Sequence, residues 1–352
     1  NNMAYSTINK HSDYFNTKLY TGNGGTQSIT GVGFQPDWTW IKKRNATRNH
    51  NLFDSVRGVQ KALHTDSNSA EASSANYLTA FGTDGFSVGS SSNVNASSDT
   101  YVAWNWKAGT TGSGTTTGSG YGKAYSYSVN TTSGFSVITY KGNGTAGHTI
   151  PHHLGATPKL IIVKNMDSSQ SWLWGMTELG WTKNLHLNET GVEQTSSTIW
   201  NDTAPTSTVF TVGTNTKCNT NDEDYIAYVF AEKVGYSKFS SYTGNSNAEG
   251  PFVYTGFKPS FVIIKGAVSG DGNAGQSWEM YDNKREGYNS DNDALFPNST
   301  SAEGTEDRVD FFSNGFRPII NSDGVNDNHS RYIYMAFGQT LVSSNNIPAT
   351  AR

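Results

Sequence analysis

Tyr101-Val-Ala-Trp-Asn-Trp106, Tyr225-Ile-Ala-Tyr-Val-Phe230 and Tyr332-Ile-Tyr-Met-Ala-Phe337 are three writings of one segment, and they decide the fold. Successive side chains of a strand point to opposite faces, so Val102, Trp104 and Trp106 share one face while Tyr101, Ala103 and Asn105 share the other. The same alternation sets Ile226, Tyr228 and Phe230 together, and Ile333, Met335 and Phe337. Working back from each closing strand, the repeats agree again. An aromatic-led turn stands at Tyr20-Thr-Gly-Asn23, Tyr140-Lys-Gly-Asn143 and Tyr242-Thr-Gly-Asn245. A Gly-x-x-Pro step follows at Gly33-Phe-Gln-Pro36, Gly155-Ala-Thr-Pro158 and Gly256-Phe-Lys-Pro259. Each Pro opens an apolar run that reaches Lys42, Lys164 or Lys265. Farther on stand Leu63, Leu185 and Leu295, then Glu71, Glu193 and Glu303, and then Phe86, Phe210 and Phe316. A unit of roughly 100–120 residues is long enough to form a domain.

The runs after Pro, such as Leu160-Ile-Ile-Val163 and Phe261-Val-Ile-Ile264, are apolar on both faces. That pattern marks central strands covered on both sides. Pro precedes them, where a missing N–H costs nothing. Asp84-Gly85 and Asn314-Gly315 read as turns into the next strand, and no amphipathic helix of three turns is legible. Each unit therefore reads as seven or eight short strands. The predicted fold is all-β: three tandem β-sandwich, jelly-roll-like domains, with a propeller-like arrangement as the alternative. Residues 1–108, 126–235 and 236–352 would be the three sandwiches. Residues 109–125, which include Gly109-Thr-Thr-Gly-Ser-Gly-Thr-Thr-Thr-Gly-Ser-Gly120, would be a flexible linker, leaving repeat one hinged and repeats two and three docked. The alignment makes Ile41, Val163 and Ile264 equivalent, and likewise Val94, Cys218 and Val325. Cys218 should thus be a buried apolar residue.

Composition narrows the function. Of 352 residues 34% are hydrophobic, 12% aromatic and 15% charged, with 37 glycines, which suits strand-rich layers and not disorder. A net charge of −4 offers no basic face for nucleic acid or an anionic membrane. No apolar run approaches membrane-spanning length. One cysteine allows no intrachain disulfide. The chain begins at Asn1, as expected of a processed product or part of a longer polypeptide.

Few residues carry chemistry. Glu71, Glu193 and Glu303 recur in neutral loops, each five residues after Asp66, Asn188 or Asn298. They read as loop-capping carboxylates, or as single ligands of a Ca²⁺ site, the one metal the chain suggests. Asp54-x-x-Arg57 and Asp282-x-x-Arg285 read as turn-fixing ion pairs. His148, His152 and His153 cluster without a zinc-ligand spacing. Trp174, Trp181 and Trp200, peculiar to repeat two and set among Asn, Thr and Glu, are the candidates for stacking on a glycan. No nucleophile elbow, P-loop, zincin or glycosidase signature is present, so no enzyme and no cofactor is expected.

Several phrases resemble structural proteins of marine tailed bacteriophages, cyanophages and their relatives. They are Tyr20-Thr-Gly-Asn-Gly24 with Gly31-Val-Gly-Phe-Gln-Pro36, Tyr101-Val-Ala-Trp-Asn-Trp-Lys-Ala-Gly109, His148-Thr-Ile-Pro-His-His153 and Tyr281-Asp-Asn-Lys-Arg285. The ending Asn346-Ile-Pro-Ala-Thr-Ala-Arg352 is similar to that family's C-terminus. The resemblance implies a virion protein without assigned activity. The expectation is a non-enzymatic tail fibre, spike or capsid appendage on the virion surface. It would be a homo-oligomer that contacts other virion proteins and a host-surface glycan, with neither nucleic acid nor membrane as partner. An extracellular bacterial adhesin and a tail-spike polysaccharide depolymerase are the alternatives.

Overall fold

A computed structural model describes residues 6–270, 275–286, 289 and 292–342. Strand makes up 43% of the chain and helix 2%, so the layers are sheets. Repeat one has a four-stranded antiparallel sheet ordered Phe15–Thr21, Thr100–Trp106, Trp38–Lys43, Asn51–Asp54. Facing it is a three-stranded sheet ordered Gln27–Thr30, Gly85–Val88, Leu78–Gly82. Repeat three copies this with Ser237–Thr243, Arg331–Thr340, Phe257–Val268 and Glu279–Asp282 in the large sheet. Its small sheet is Val253–Tyr254, Gly315–Pro318 and Val309–Phe312. In repeat two the equivalent four are Phe135–Lys141, Asp224–Phe230, Leu160–Asn165 and Leu173–Met176, within a sheet of eight. The β-sandwich expectation holds, and among the described residues no sheet closes into a barrel.

The closing strand is interior in every large sheet, and so is the strand after Pro. Ile41 pairs with Ala103, Val163 with Ala227 and Ile264 with Tyr334, each opposite the residue two after the strand tyrosine. Val94, Cys218 and Val325 are all fully buried. Tyr101 and Ala103 face the small sheet with Phe86 and Val88, and the other two sandwiches have equivalent cores.

The opposite faces of the large sheets do not meet solvent. Trp38, Trp104, Tyr228, Trp174, Phe261, Trp278 and Met335, drawn from all three repeats, belong to a single buried cluster. Every large sheet is therefore covered on both sides, by its own small sheet and by its neighbours. That is why the strands after Pro are apolar on both faces. Trp38 of repeat one stacks on Tyr228 of repeat two at 4.4 Å and 19°, and Phe15 stacks on Phe337 of repeat three at 5.4 Å.

Three equivalent hydrogen bonds show how the lobes are related. The amide of Glu71 donates to the Met166 carbonyl (2.8 Å), that of Glu193 to Ala267 (2.9 Å), and that of Glu303 to Arg44 (2.9 Å). Repeat one leans on two, two on three, and three on one, so the lobes form a closed ring about an approximate threefold axis. The hinge expected before repeat two is corrected here. Thr110–Thr115 is a strand paired with Ala124–Asn130 and extends the large sheet of repeat two. A Cβ on Gly112 would lie 2.5 Å from the Tyr127 hydroxyl, and one on Gly114 2.8 Å from that of Tyr125. The glycines are there because two tyrosine rings lie across the strand, not because the segment is a flexible tether. Asp37 of repeat one locks the junction by accepting from the Ser128 hydroxyl (3.0 Å) and the Ala108 amide (2.7 Å).

Candidate functional site

The hydroxyls of Tyr20, Tyr140 and Tyr242 donate to the carbonyls of Val94, Cys218 and Val325 at 2.7, 2.8 and 2.6 Å. Each ring stacks on the strand tyrosine, Tyr101, Tyr225 or Tyr332, at 5.1–5.2 Å. The Asn that follows Val94, Cys218 or Val325 is fully buried, and its amide group binds carbonyls of the Gly-Asn turn loop, as Asn95 does with Gly25 at 2.6 Å. These residues hold the loop end of each sandwich shut.

Lys42, Lys164 and Lys265 are buried, and their ammoniums are bonded to backbone carbonyls. Lys42 donates to the carbonyls of Arg48 (2.7 Å) and Thr300 (3.0 Å). Lys265 donates to Thr190 (2.7 Å) and Gln276 (2.6 Å), and Lys164 to Asn165 (2.6 Å). Thr300 and Thr190 belong to the preceding lobe's Glu loop, so two of the lysines tie seams. Burial pushes Lys42 and Lys164 down to about 8 and Lys265 down to about 7, because the charged form loses its water.

The glutamates offered as metal ligands are engaged by cations. Glu71 meets Arg57 (3.0 Å) and Lys61 (3.7 Å). Glu193 pairs with Lys183 of its own lobe and Arg331 of the next. Glu303 pairs with Arg285 (2.5 Å) and, across the seam, with Arg44 (2.8 Å). Carboxylates of Glu286 and Asp293 come near Glu303, with oxygens within 4.8 Å; Arg44 pairs with both glutamates and Arg285 with Glu303. Glu193 and Glu303 thus staple seams through their carboxylates, Glu71 reaches its seam through its amide, and Glu303 also stands in a group of three carboxylates with Glu286 and Asp293. The Asp-x-x-Arg pairs are buried: Arg57 to Asp54 at 2.5 Å and Arg285 to Asp282 at 2.7 Å. Both aspartates also serve the ring, accepting from the Tyr228 hydroxyl (2.9 Å) and from Trp104 Nε1 (3.0 Å).

The tryptophans selected for glycan stacking are corrected as well. Trp174 is fully buried in the shared core and Trp200 is 1% exposed, so neither ring presents a face. Trp181 is partly buried, edge-on to Trp200 at 5.6 Å. A Cβ on Gly175 would lie 2.5 Å from Trp200, which shows how closely these rings cover the strand. The histidines diverge. His148 is buried between Asn219 (3.0 Å) and Thr116 (2.6 Å), His152 is bonded to the Thr206 carbonyl (3.1 Å), and His153 stacks on Tyr127 at 3.8 Å.

One surface feature was not singled out by sequence reasoning. On the outer face of repeat three's small sheet stand Phe252 and Tyr254, 49% and 56% exposed. Phe252 meets Phe312 edge to face at 5.7 Å. The Arg317 guanidinium lies 5.5 Å from the centre of the Phe312 ring and pairs with Glu249 at 2.5 Å. The available signal was a comparison among the repeats at outward positions, where the other two carry small residues.

Fold and geometry define a three-lobed all-β body whose shared polar residues serve its own closure. The chain belongs to the DUF7483 family, described as a domain of unknown function, and the family model matches residues 10–340. The match runs through all three lobes, as a unit with one common core would. No curated protein matches the chain. Among the described residues, no helix is long and apolar enough to cross a membrane.

Proposed function

We propose that this chain is a non-enzymatic structural component of a phage virion, a tail or capsid appendage displayed at the surface and turned toward the host cell. The observation that carries the reading is the closed ring. The side chains common to the three repeats (Tyr, Asn, Lys and Glu), with the Asp-Arg pairs of repeats one and three, are bound inside lobes or across seams, where they make a stiff scaffold. A scaffold of this kind holds surface loops at fixed spacing, which multiplies weak contacts with a repetitive polymer. The phage-like phrases support a virion setting for such a scaffold, and several of them, including those around Tyr20 and Tyr101, form the loop-end tyrosine latch.

The test is immunogold electron microscopy of purified virions with antibody raised against the chain. Regular labelling of tails or capsids is expected. Label on host cells alone, with none on washed virions, would remove the virion role and favour a bacterial adhesin.

A further inference from the structure

We propose that the outer face of the third lobe's small sheet is a saccharide-binding platform formed by Phe252, Tyr254, Phe312 and Arg317. The inference rests on the surface-contact reading above and names its ligand class. The other two lobes serve as internal controls. Ile29 pairs with Phe86, Ile150 with Phe210 and Val253 with Phe316. Ser28, Thr149 and Phe252 are therefore equivalent, as are Thr30, Pro151 and Tyr254, and Ser87, Thr211 and Arg317. The sandwich is complete with hydroxyls or proline at these outward positions, so packing does not require rings or a guanidinium there. Only the third lobe has them.

The parts are arranged as a surface. Phe252 lies across Gly315, where a Cβ would come within 2.8 Å of its ring, and it thereby reaches Phe312 on the far strand. Arg317 lies over the Phe312 ring as well. Asp310 is directly opposite Arg317 in the ladder, and Glu249 is bonded to it. A pyranose has a C–H face that stacks on an aromatic ring and rim hydroxyls that bond to guanidinium and carboxylate. Two carboxylates beside one guanidinium select a neutral sugar chain over phosphate or an acidic polymer. The rings expose on the order of 200–300 Å² in all. That is well short of the ~800 Å² per partner of a stable protein interface.

Affinity electrophoresis through gels containing dextran, mannan, galactomannan or hydroxyethyl chitin tests the proposal. The comparison is with a variant carrying the first lobe's residues, Phe252→Ser, Tyr254→Thr and Arg317→Ser. At least one polymer should retard the native chain, with a dissociation constant at least ten-fold weaker in the variant and an unchanged melting temperature. A variant altered in the first lobe, Ser28→Ala with Ser87→Ala, should bind as the native chain does. Retardation by none of the polymers, or equal retardation of the lobe-three variant, overturns the platform. The virion labelling reads the parent proposal separately: sugar binding without label leaves the platform and removes the virion role, and label without binding does the reverse.

Discussion

Replacing Lys265 by Met should change how the stability of this protein responds to pH. In the folded chain burial pushes Lys265 down to about 7, whereas an exposed lysine of the unfolded chain titrates near ~10.4. Between those values the unfolded state binds more protons than the folded one, so stability rises with pH. One lysine contributes at most ~1.4 kcal/mol per pH unit, or roughly 2–3 kcal/mol between pH 7.5 and 9.5. Bonds from the ammonium to the Thr190 and Gln276 carbonyls favour the charged form and reduce that figure. Lys42 and Lys164, at about 8, act in the same direction. Above the window the sign reverses, because buried tyrosines such as Tyr140 and Tyr242 are held well above their usual range by burial and ionise first in the unfolded chain. The assay is urea denaturation at half-unit steps from pH 7 to 9.5. The native midpoint should climb, and Lys265→Met should climb less steeply, the two curves separating as pH rises. A native midpoint that is flat or falling over this range, or a variant curve parallel to it, would refute the argument that these ammoniums are desolvated.

Asp282→Asn removes the carboxylate shared by Arg285 and Trp104 and should cost about 1.5–3 kcal/mol, because a buried guanidinium loses one of its two carboxylate partners and keeps Glu303; thermal denaturation reads it, and a loss below ~0.5 kcal/mol would contradict the buried geometry. Gly112→Val should collide with Tyr127 and release the Thr110–Thr115 strand, seen as faster hydrogen exchange there with the rest of the ring still protected. Cys218 should resist thiol reagents until the chain unfolds, since burial pushes its thiol up to about 12. Cys218→Val should cost under ~1.5 kcal/mol, because Val94 and Val325 fill the same place.

Much of the fold was legible because strand periodicity is local. Alternation in Tyr101-Val-Ala-Trp-Asn-Trp106 assigned two buried faces, and the apolar runs after Pro marked central strands. What covers the second face was not legible, since Trp38 against Tyr228 joins residues far apart in sequence. The run around Gly112 reads as a linker by composition, and its meaning depends on two tyrosines across a ladder. Trp174 and Trp200 looked like surface residues because their strand and helical turn are four residues each, too short for a period to show. Glu71, Glu193 and Glu303 were rightly picked as recurring, but their cations come from other elements, and Arg44 and Arg331 come from other lobes. The Phe252 platform was within reach of the sequence, had the outward positions of the three repeats been compared.

The seam from Glu303 back to Arg44 has a consequence for copy number. In an open stack of repeats the end units expose an apolar flank and need polar capping units, and copies can be added or lost one at a time. Here the last unit docks on the first. Deleting one copy would uncover two apolar, aromatic-bearing flanks at once, and a fourth would find no place to insert. Length variation during evolution is thereby pushed out of the number of units and into the loops, where one lobe can acquire aromatic side chains while the other two keep the assembly intact.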